Sequence, residues 1–248
     1  MAPAGIGDSL EGLHAVAAAL RAGRVTELLI DQQVVERVEY QAIITEARER
    51  GADVRVVADV RDQARTGAPQ GVLARARPIP AVDLDTAIGR SDPPALLVFD
   101  HVEDPRNVGA AVRSAVAAGV LAIVVPSRRA APLGATAFKA AAGAFEEVAI
   151  VTVSSVPDAL RELRRRDIWT VGLDASASGS LFGLGLLAEP VALVIGAEGR
   201  GLSRLVRERV DELVRIPIAP GVESLNVSVA AALAVFEVAR VRGGASGS

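Results

Sequence analysis

The sequence contains no cysteine and only two histidines, His14 and His101, among its 248 residues. Disulfides, zinc–thiolate sites and thiol nucleophiles are therefore excluded, and a histidine-based metal cluster is not expected. Lysine is almost absent too, because Lys139 is the only one and the other basic residues are all arginine. Any chemistry must be carried by oxygen, amide, guanidinium and backbone groups.

Aromatic residues are also scarce, at 3% against 50% apolar residues overall, so the core must consist mainly of Val, Ala, Leu and Ile. No apolar run approaches the ~20 residues that cross a bilayer, so no membrane helix is expected. Residues 1–5 lack a basic stretch followed by an apolar one, so we predict no secretion signal and a cytoplasmic location.

The net charge of −3 is not that of a protein that coats nucleic acid without specificity. RNA binding would therefore need locally clustered basic residues, although such clusters are also typical of solvated helix faces. The candidates are Arg128, Arg129, Arg164, Arg165, Arg166, Arg200, Arg204, Arg207 and Arg209.

Two blocks of different character predict two domains. Residues 1–80 combine short apolar strands such as Val25–Ile30 with an amphipathic helix, Val34–Arg50, that Gly51 ends. Residues 81–94 contain proline clusters without an apolar period and are predicted to be a linker. Residues 95–248 form the second block.

Apolar strands and helices alternate regularly in the second block, which predicts an α/β domain with a parallel sheet covered on both faces. The predicted strands are Ala95–Phe99, Leu121–Val125, Val148–Val153, Ile168–Leu173, Val191–Ile195 and Glu212–Ile216. The predicted helices are Asn107–Ala118, Ala135–Ala142, Asp158–Arg166, Gly201–Glu208 and Leu225–Arg240.

The last of these helices begins with an unusual concentration of polar side chains. Ser224, Asn226 and Ser228 follow a proline-containing loop and precede a long apolar stretch. Helix starts expose free N–H groups and favour polar or anionic ligands, whereas an ordinary core helix usually needs a single capping residue. The pattern favours a binding site at this point.

Glycines are concentrated after the strand Val191–Ile195, in the segment Gly196-Ala-Glu198-Gly199-Arg-Gly201. Such glycines let the backbone approach a ligand closely. A dinucleotide fold is an alternative, but the glycine order and the position late in the chain do not fit its fingerprint.

A third polar segment, Phe99-Asp100-His101-Val-Glu103-Asp104-Pro-Arg-Asn107-Val-Gly109-Ala-Ala-Val-Arg113-Ser-Ala, runs from the end of the first strand of the block into the following helix. Asn107 suits a helix N-cap, and Arg113 is charged within an otherwise apolar helix. Such a charge must reach solvent, pair, or meet a ligand or another subunit. We favour a functional role for Arg113, because Asn107 and Arg113 can both point towards the start of the helix.

Together, these three segments resemble in order the three motifs of the SpoU branch of knotted RNA methyltransferases, over about residues 95–241. The first block, from Gly12-Leu13-His14 to Gln70-Gly71-Val72, is similar to a small substrate-binding domain that itself resembles ribosomal protein L30e. That domain precedes the catalytic domain in the members of the family that methylate a guanosine ribose of 23S rRNA. Pro69, Pro220, Gly221 and Glu223 depart from the usual pattern.

The resemblance implies a deep trefoil knot that binds S-adenosylmethionine, and usually a homodimer whose active site uses both subunits. It implies cofactor contacts at Gly196, Glu198, Gly199, Gly201, Ile216, Ile218 and Leu225. It also implies 2′-O-methylation of RNA, with catalytic positions Asn107, Arg113, Glu198, Ser224 and Asn226, and no metal. Arginine is a poor base, so we expect Arg113 to orient the phosphate and polarise the hydroxyl.

Three alternatives stay open on the sequence alone. A resistance-type rRNA or a tRNA 2′-O-methyltransferase would share most of these features, although tRNA-modifying relatives generally lack the first domain. A non-catalytic RNA-binding paralogue would retain the knot but not turnover. A nucleotide-dependent oxidoreductase would bind NAD in place of S-adenosylmethionine.

Overall fold

The computed structural model describes residues 5–245, so residues 1–4, where no secretion signal is predicted, lie outside its description. Contacts divide the chain into two compact units. The first comprises Met1–Pro80 with Pro132–Glu147, and the second comprises Ala81–Ala131 with Val148–Ser248. In the described part of the chain, none of the helices has the length and hydropathy needed to cross a membrane.

The first unit is a small α/β domain with a four-stranded sheet in the order β1-β4-β2-β3, in which only β2 and β3 are parallel. Its apolar residues are buried between this sheet and the helices that pack on it. The elements are β1 Ser9–Glu11, α1 Leu13–Arg21, β2 Val25–Asp31, α2 Val38–Glu49, β3 Asp53–Val57 and β4 Val72–Ala76, with α5 Ala135–Ala141 from later in the chain.

The segment 132–147 is held in the first unit by specific contacts. The rings of Phe138 and Phe145 stack with centroids 4.4 Å apart. Arg24 donates to both carboxylate oxygens of Glu146, and both side chains of this ion pair are largely buried. A bidentate, desolvated pair of this kind specifies geometry as well as attraction.

The second unit contains a seven-stranded, all-parallel sheet, which confirms the predicted fold class. The strand order is β7-β6-β5-β10-β8-β11-β9. The strands are β5 Ala95–Asp100, β6 Ala122–Pro126, β7 Ala149–Val153, β8 Trp169–Leu173, β9 Gly179–Ser180, β10 Val191–Gly196 and β11 Glu212–Arg215. The helices are α3 Leu84–Ile88, α4 Pro105–Ala117, α6 Val156–Arg164, α7 Arg204–Arg209 and α8 Val227–Ala245.

The segment predicted as a linker contains the short helix α3. Asp83 caps it by accepting a hydrogen bond from the Thr86 N–H at 2.8 Å. Ala87 is buried, and Leu84 and Ile88 pack against the core of the second unit. Three apolar residues in one turn and a half are too few to show a period, so the sequence pattern does not reveal this helix.

The strand order reverses between β5 and β10. From β5, the chain proceeds to β6 and β7 on one side, whereas β10 and β8 lie on the other side. Loops at the carboxyl ends of parallel strands diverge at such a point and leave a crevice, which is the usual ligand position in open α/β sheets. The three polar segments of the sequence all lie at this end of the sheet.

Candidate functional site

The first cavity of the second unit has a volume of about 370 Å³, within the range of small-molecule sites. Its walls combine apolar side chains at the ends of β8, β10 and β11 with backbone from the glycine turn. Every residue predicted to contact a cofactor lines it, as does Ser224. These residues are Gly196, Glu198, Gly199, Gly201, Ile216, Ile218, Ser224 and Leu225.

The glycine turn that forms one wall closes on itself. Ala197 and Gly201 exchange two backbone hydrogen bonds, of 3.1 and 2.8 Å. A Cβ on Gly196 would lie 2.1 Å from the carbonyl carbon of Gly201, a distance that real Cβ atoms do not show. Gly199 and Gly201 have φ of +74° and +64°, which favours glycine. The turn therefore needs glycine at these positions.

A second cleft, of about 820 Å³, adjoins the same turn from the side of β5. Asn107, Glu198 and Val227 line it. Glu198 and Val227 also line the first cavity, so the two spaces share a wall. One cavity and one cleft meeting at a shared turn provide room for a cofactor and a substrate side by side.

The first and third polar segments are joined by a hydrogen bond. Asn226 Nδ2 donates to Asn107 Oδ1 at 3.0 Å. Asn226 Oδ1 in turn accepts hydrogen bonds from the backbone N–H and the hydroxyl of Ser228, at 2.9 and 2.6 Å. The N-cap of α4 is Asp104 rather than Asn107, because the Asp104 carboxylate accepts from the Arg106 N–H. Asn107 is thereby free to take part in the site.

Arg113 lies on an exposed face of α4 and lines neither the cavity nor the cleft. It also has no ion-pair partner in the described residues. The structure therefore does not bring Arg113 together with Asn107 and Glu198 within one chain. Its charge is satisfied by solvent in this chain and is available to a ligand or a second subunit.

The cavity also contains Asp174 and Ser176, which the sequence patterns do not reveal, and Arg207, which they indicate only as an RNA-binding candidate. Asp174 and Arg207 form an ion pair, and Ser176 donates to the same carboxylate through its N–H and hydroxyl. Burial raises the pKa of Asp174, but the Ser176 hydrogen bonds and the Arg207 charge outweigh it and lower the pKa overall. Asp174 directly follows strand β8, and a polar residue at a strand end was the available signal.

The arginines predicted as candidates for RNA binding fall into two groups. Most already pair with carboxylates, which neutralise their field locally. These are Arg164 with Asp211, Arg165 with Glu162, Arg166 with Asp85 and Glu162, Arg204 with Glu208, Arg207 with Asp174, and Arg209 with Asp158. Arg128, Arg129 and Arg200 are exposed and, within residues 5–245, have no carboxylate partner.

Comparison with known protein families gives two matches. Residues 94–236 match the SpoU rRNA Methylase family, and residues 9–81 match the family described as RNA 2'-O ribose methyltransferase substrate binding. The two matches overlap the segment predicted as a linker only at residues 81 and 94.

Individual relatives match along nearly their whole length. The chain is 40% identical to the 23S rRNA (guanosine-2'-O-)-methyltransferase RlmB of Yersinia pestis, over 95% of this chain and 98% of that protein. It is 42% identical to the protein of the same description from Ralstonia nicotianae, over 94% and 95% of the two chains.

Solved structures show the same architecture. The SpoU methyltransferase AviRb from Streptomyces viridochromogenes, in complex with AdoMet, has a TM-score of 0.79 and 26% identity, covering 95% of this chain and 90% of that one. The A. aeolicus TrmH/SpoU tRNA modifying enzyme has a TM-score of 0.55 and 26% identity, covering 61% of this chain and 77% of that one.

Proposed function

The chain belongs to the SpoU rRNA methylase family, and we propose that it transfers a methyl group to the 2′-oxygen of a guanosine ribose in 23S rRNA. It is an RNA 2′-O-methyltransferase that uses S-adenosylmethionine. The observation that carries the more specific proposal is the match to guanosine-2′-O-methyltransferases over nearly the full length of both chains. The cavity and cleft joined by Asn107 and Asn226 support it.

The residues of the 370 Å³ cavity fit the cofactor. Leu173, Ile216 and Leu225 offer apolar surface to an adenine ring, and the Gly196–Gly201 turn offers unhindered backbone. When bound, S-adenosylmethionine supplies a methyl carbon that is already electrophilic, so no metal is needed to activate it. We propose that these residues, with Ile218, hold it.

The chain's own residues orient the substrate in this proposal. Asn107 and Asn226 fix each other by a hydrogen bond, and Glu198 faces both the cavity and the cleft. We assign to them, and to Ser224, the alignment of the ribose against the cofactor. Such positioning supplies much of the acceleration in reactions between two bound molecules.

The substrate is ribosomal rather than transfer RNA in this proposal because the first unit is part of the match. The guanosine-2′-O-methyltransferases align over 95% of the chain, whereas the tRNA modifying enzyme aligns over 61%. An enzyme that acts on 23S rRNA works where ribosomes are made, so we also propose a cytoplasmic location.

We further propose that the protein acts as a homodimer through α8. Val229, Leu233 and Phe236 follow one another at helical spacing on this helix and are 36–51% exposed. An exposed apolar stripe of this kind is typical of a protein interface. Because α8 packs on α4, a second copy seated here would also approach the helix that carries Arg113.

We propose that Arg113 binds an RNA phosphate in the site of the partner subunit. We also propose that α8 forms the knot that the family resemblance implies.

The test is methyl transfer from labelled S-adenosylmethionine to unmodified 23S rRNA, with the product mapped by mass spectrometry. The expected result is one 2′-O-methylguanosine. Transfer to tRNA alone would contradict the rRNA assignment. Tight cofactor binding without transfer to any RNA would favour the non-catalytic paralogue.

A further inference from the structure

A buried carboxylate holds an imidazole at the edge of the cleft. Asp100, the last residue of β5, is fully buried. Its Oδ1 lies 2.6 Å from Nδ1 of His101, and its Oδ2 accepts the N–H of Ser203 at 2.6 Å. Both residues stand at the start of the third polar segment, but no role assigned above uses either side chain.

The backbone conformation at His101 is also uncommon. His101 has φ of +57°, a left-handed conformation that is uncommon for residues other than glycine, although asparagine, aspartate and histidine adopt it more readily than the rest. A non-glycine residue in this region persists only where its surroundings hold it, and such residues concentrate at functional sites. The side chain is 41% exposed and lines the cleft together with Asn107 and Glu198.

The hydrogen bonds determine which ring nitrogen is free. A carboxylate only accepts hydrogen bonds, so the 2.6 Å contact of Asp100 Oδ1 with Nδ1 assigns the proton of the neutral ring to Nδ1. Nε2 then has a lone pair and is an acceptor. A carboxylate that orients a histidine in this way also stabilises the imidazolium formed when Nε2 takes up a proton.

We propose that His101 Nε2 accepts the proton of the target ribose 2′-hydroxyl, an inference that rests on the proposed function. As the 2′-O–H bond breaks, its proton passes to Nε2 and the oxygen forms a bond to the methyl carbon. The bond from that carbon to the sulfonium breaks, and its electron pair stays on a neutral thioether. His101 afterwards releases the proton to water. A guanidinium has no lone pair to accept this proton, which separates the role of His101 from that of Arg113.

The charged groups around His101 come from the end of β5 and from three loops of the second unit. Asp100 ends β5, and Glu103 and Asp104 follow in the loop after it. Arg129 belongs to the loop after β6, and Glu198 and Arg200 belong to the glycine turn. The carboxylates stabilise a protonated ring and the arginines oppose it. A proton acceptor must be unprotonated to act, so kcat should fall as the medium is made acidic.

The first experiment identifies the tautomer by nitrogen-15 NMR of the imidazole rings in the full-length protein. The chain has only two histidines, so His14→Gln assigns both sets of signals. Protonation at Nδ1 with free Nε2 for His101, altered in Asp100→Asn, is the expected result. A ring protonated at Nε2 would overturn the proposal whatever the turnover.

The second experiment measures methyl transfer. His101→Asn is the variant of choice because asparagine tolerates positive φ, and we expect a loss of about 100-fold in kcat, as for removal of a general base. The pH-dependent limb should disappear, while the KM for RNA stays within about threefold. His14→Gln should behave as the wild type. In His101→Gly, added imidazole should restore part of the rate.

Failure of this proposal and failure of the proposed function give different results. A wild-type protein that methylates no RNA contradicts the proposed function. The nitrogen-15 NMR measurement then still shows whether His101 carries its proton on Nδ1. A wild-type protein that methylates RNA while His101→Asn retains its kcat and its pH limb overturns only the role of His101. A change in KM alone would also overturn it, since it would show binding without proton transfer.

Discussion

The side-chain amide of Asn226 donates a hydrogen bond to Oδ1 of Asn107 at 3.0 Å, across 119 residues of chain. Because Ser228 donates twice to Asn226 Oδ1, the orientation of this amide is determined by its neighbours. The bond joins the start of α8, beside the cavity assigned to the cofactor, to the cleft assigned to the substrate. A single donor thus connects the two halves of the site.

The substitution Asn226→Asp tests this connection. It retains the acceptor for Ser228 but replaces the donor by a carboxylate oxygen, so the contact survives only if the Asn107 amide turns over and donates. Either a lost hydrogen bond or a reversed Asn107 amide changes the groups presented to the cleft, so we expect kcat to fall about tenfold or more. Calorimetry should show that the affinity for S-adenosylmethionine changes much less. Ser228→Ala, which removes one of two donors, is the milder control.

Arg113→Ala should abolish most methyl transfer while cofactor binding persists. Transfer should be lost because the proposed partner of Arg113 is an RNA phosphate. Cofactor binding should persist because Arg113 lines neither the cavity nor the cleft of its own chain. Arg106→Ala is the matched control, since it lies on the same helix, is exposed and already pairs with Asp104. Equal turnover in the two variants would remove Arg113 from the site.

Gly196→Ala should weaken cofactor binding about tenfold or more, because overpacking a closed turn costs about 1–3 kcal/mol. Its Cβ would lie 2.1–2.3 Å from backbone atoms of Gly201 and Leu202, which cannot move without opening the turn. Gly185→Ala is the control, since a Cβ there meets nothing within 4 Å. Calorimetric titration with S-adenosylmethionine compares the two, and unchanged affinity in Gly196→Ala would show that the turn yields freely.

RNA affinity should depend on salt mainly through the arginines without carboxylate partners. Replacing Arg128, Arg129 or Arg200 by Gln should reduce the slope of log K against log[salt] by about 0.7–1 for each phosphate that the arginine neutralises. Arg165→Gln, whose charge Glu162 already neutralises, should leave the slope unchanged. Fluorescence anisotropy with an rRNA fragment at several salt concentrations measures both, and equal slopes would contradict the division of the arginines into two groups.

Phe236→Glu should convert the proposed dimer into monomers, because a charge cannot be buried without a partner in an apolar interface. Light scattering after size-exclusion chromatography gives the mass directly. Leu205→Glu is the control, since Leu205 is similarly exposed but lies on α7 and outside the stripe. A wild-type protein that is monomeric at micromolar concentration would contradict the dimer itself.

Much of the second unit is predictable because parallel strands buried on both faces form continuous apolar runs. The predicted bounds of β5, β6, β7, β8, β10 and β11 agree with the structure to within a few residues for that reason. The strands β1 and β9 escape prediction, since three- and two-residue strands have no period to detect. The helix α3 is hidden among prolines in the predicted linker.

The site is predictable where residues act through backbone or short polar side chains at element ends. The glycines around Gly196 and the polar start of α8 are local features, and the sequence shows them directly. The Asp174–Arg207 pair and the contact of Asp100 with His101 are different in kind. The first joins residues 33 positions apart, and the second matters only because β5 buries Asp100 and the cleft exposes His101.

By itself, the sequence determined the alternation of strands and helices, the three polar segments and their order, because each depends on neighbouring residues. Tertiary structure alone decided which of these segments meet, as in the bond from Asn226 to Asn107, and which arginines are already neutralised. It also placed the segment 132–147 in the first unit, whereas the residues before and after it in the sequence belong to the second. The physical reason is that hydrogen bonds, ion pairs and packing act over a few ångströms, whereas chain order does not state which distant residues come within that range.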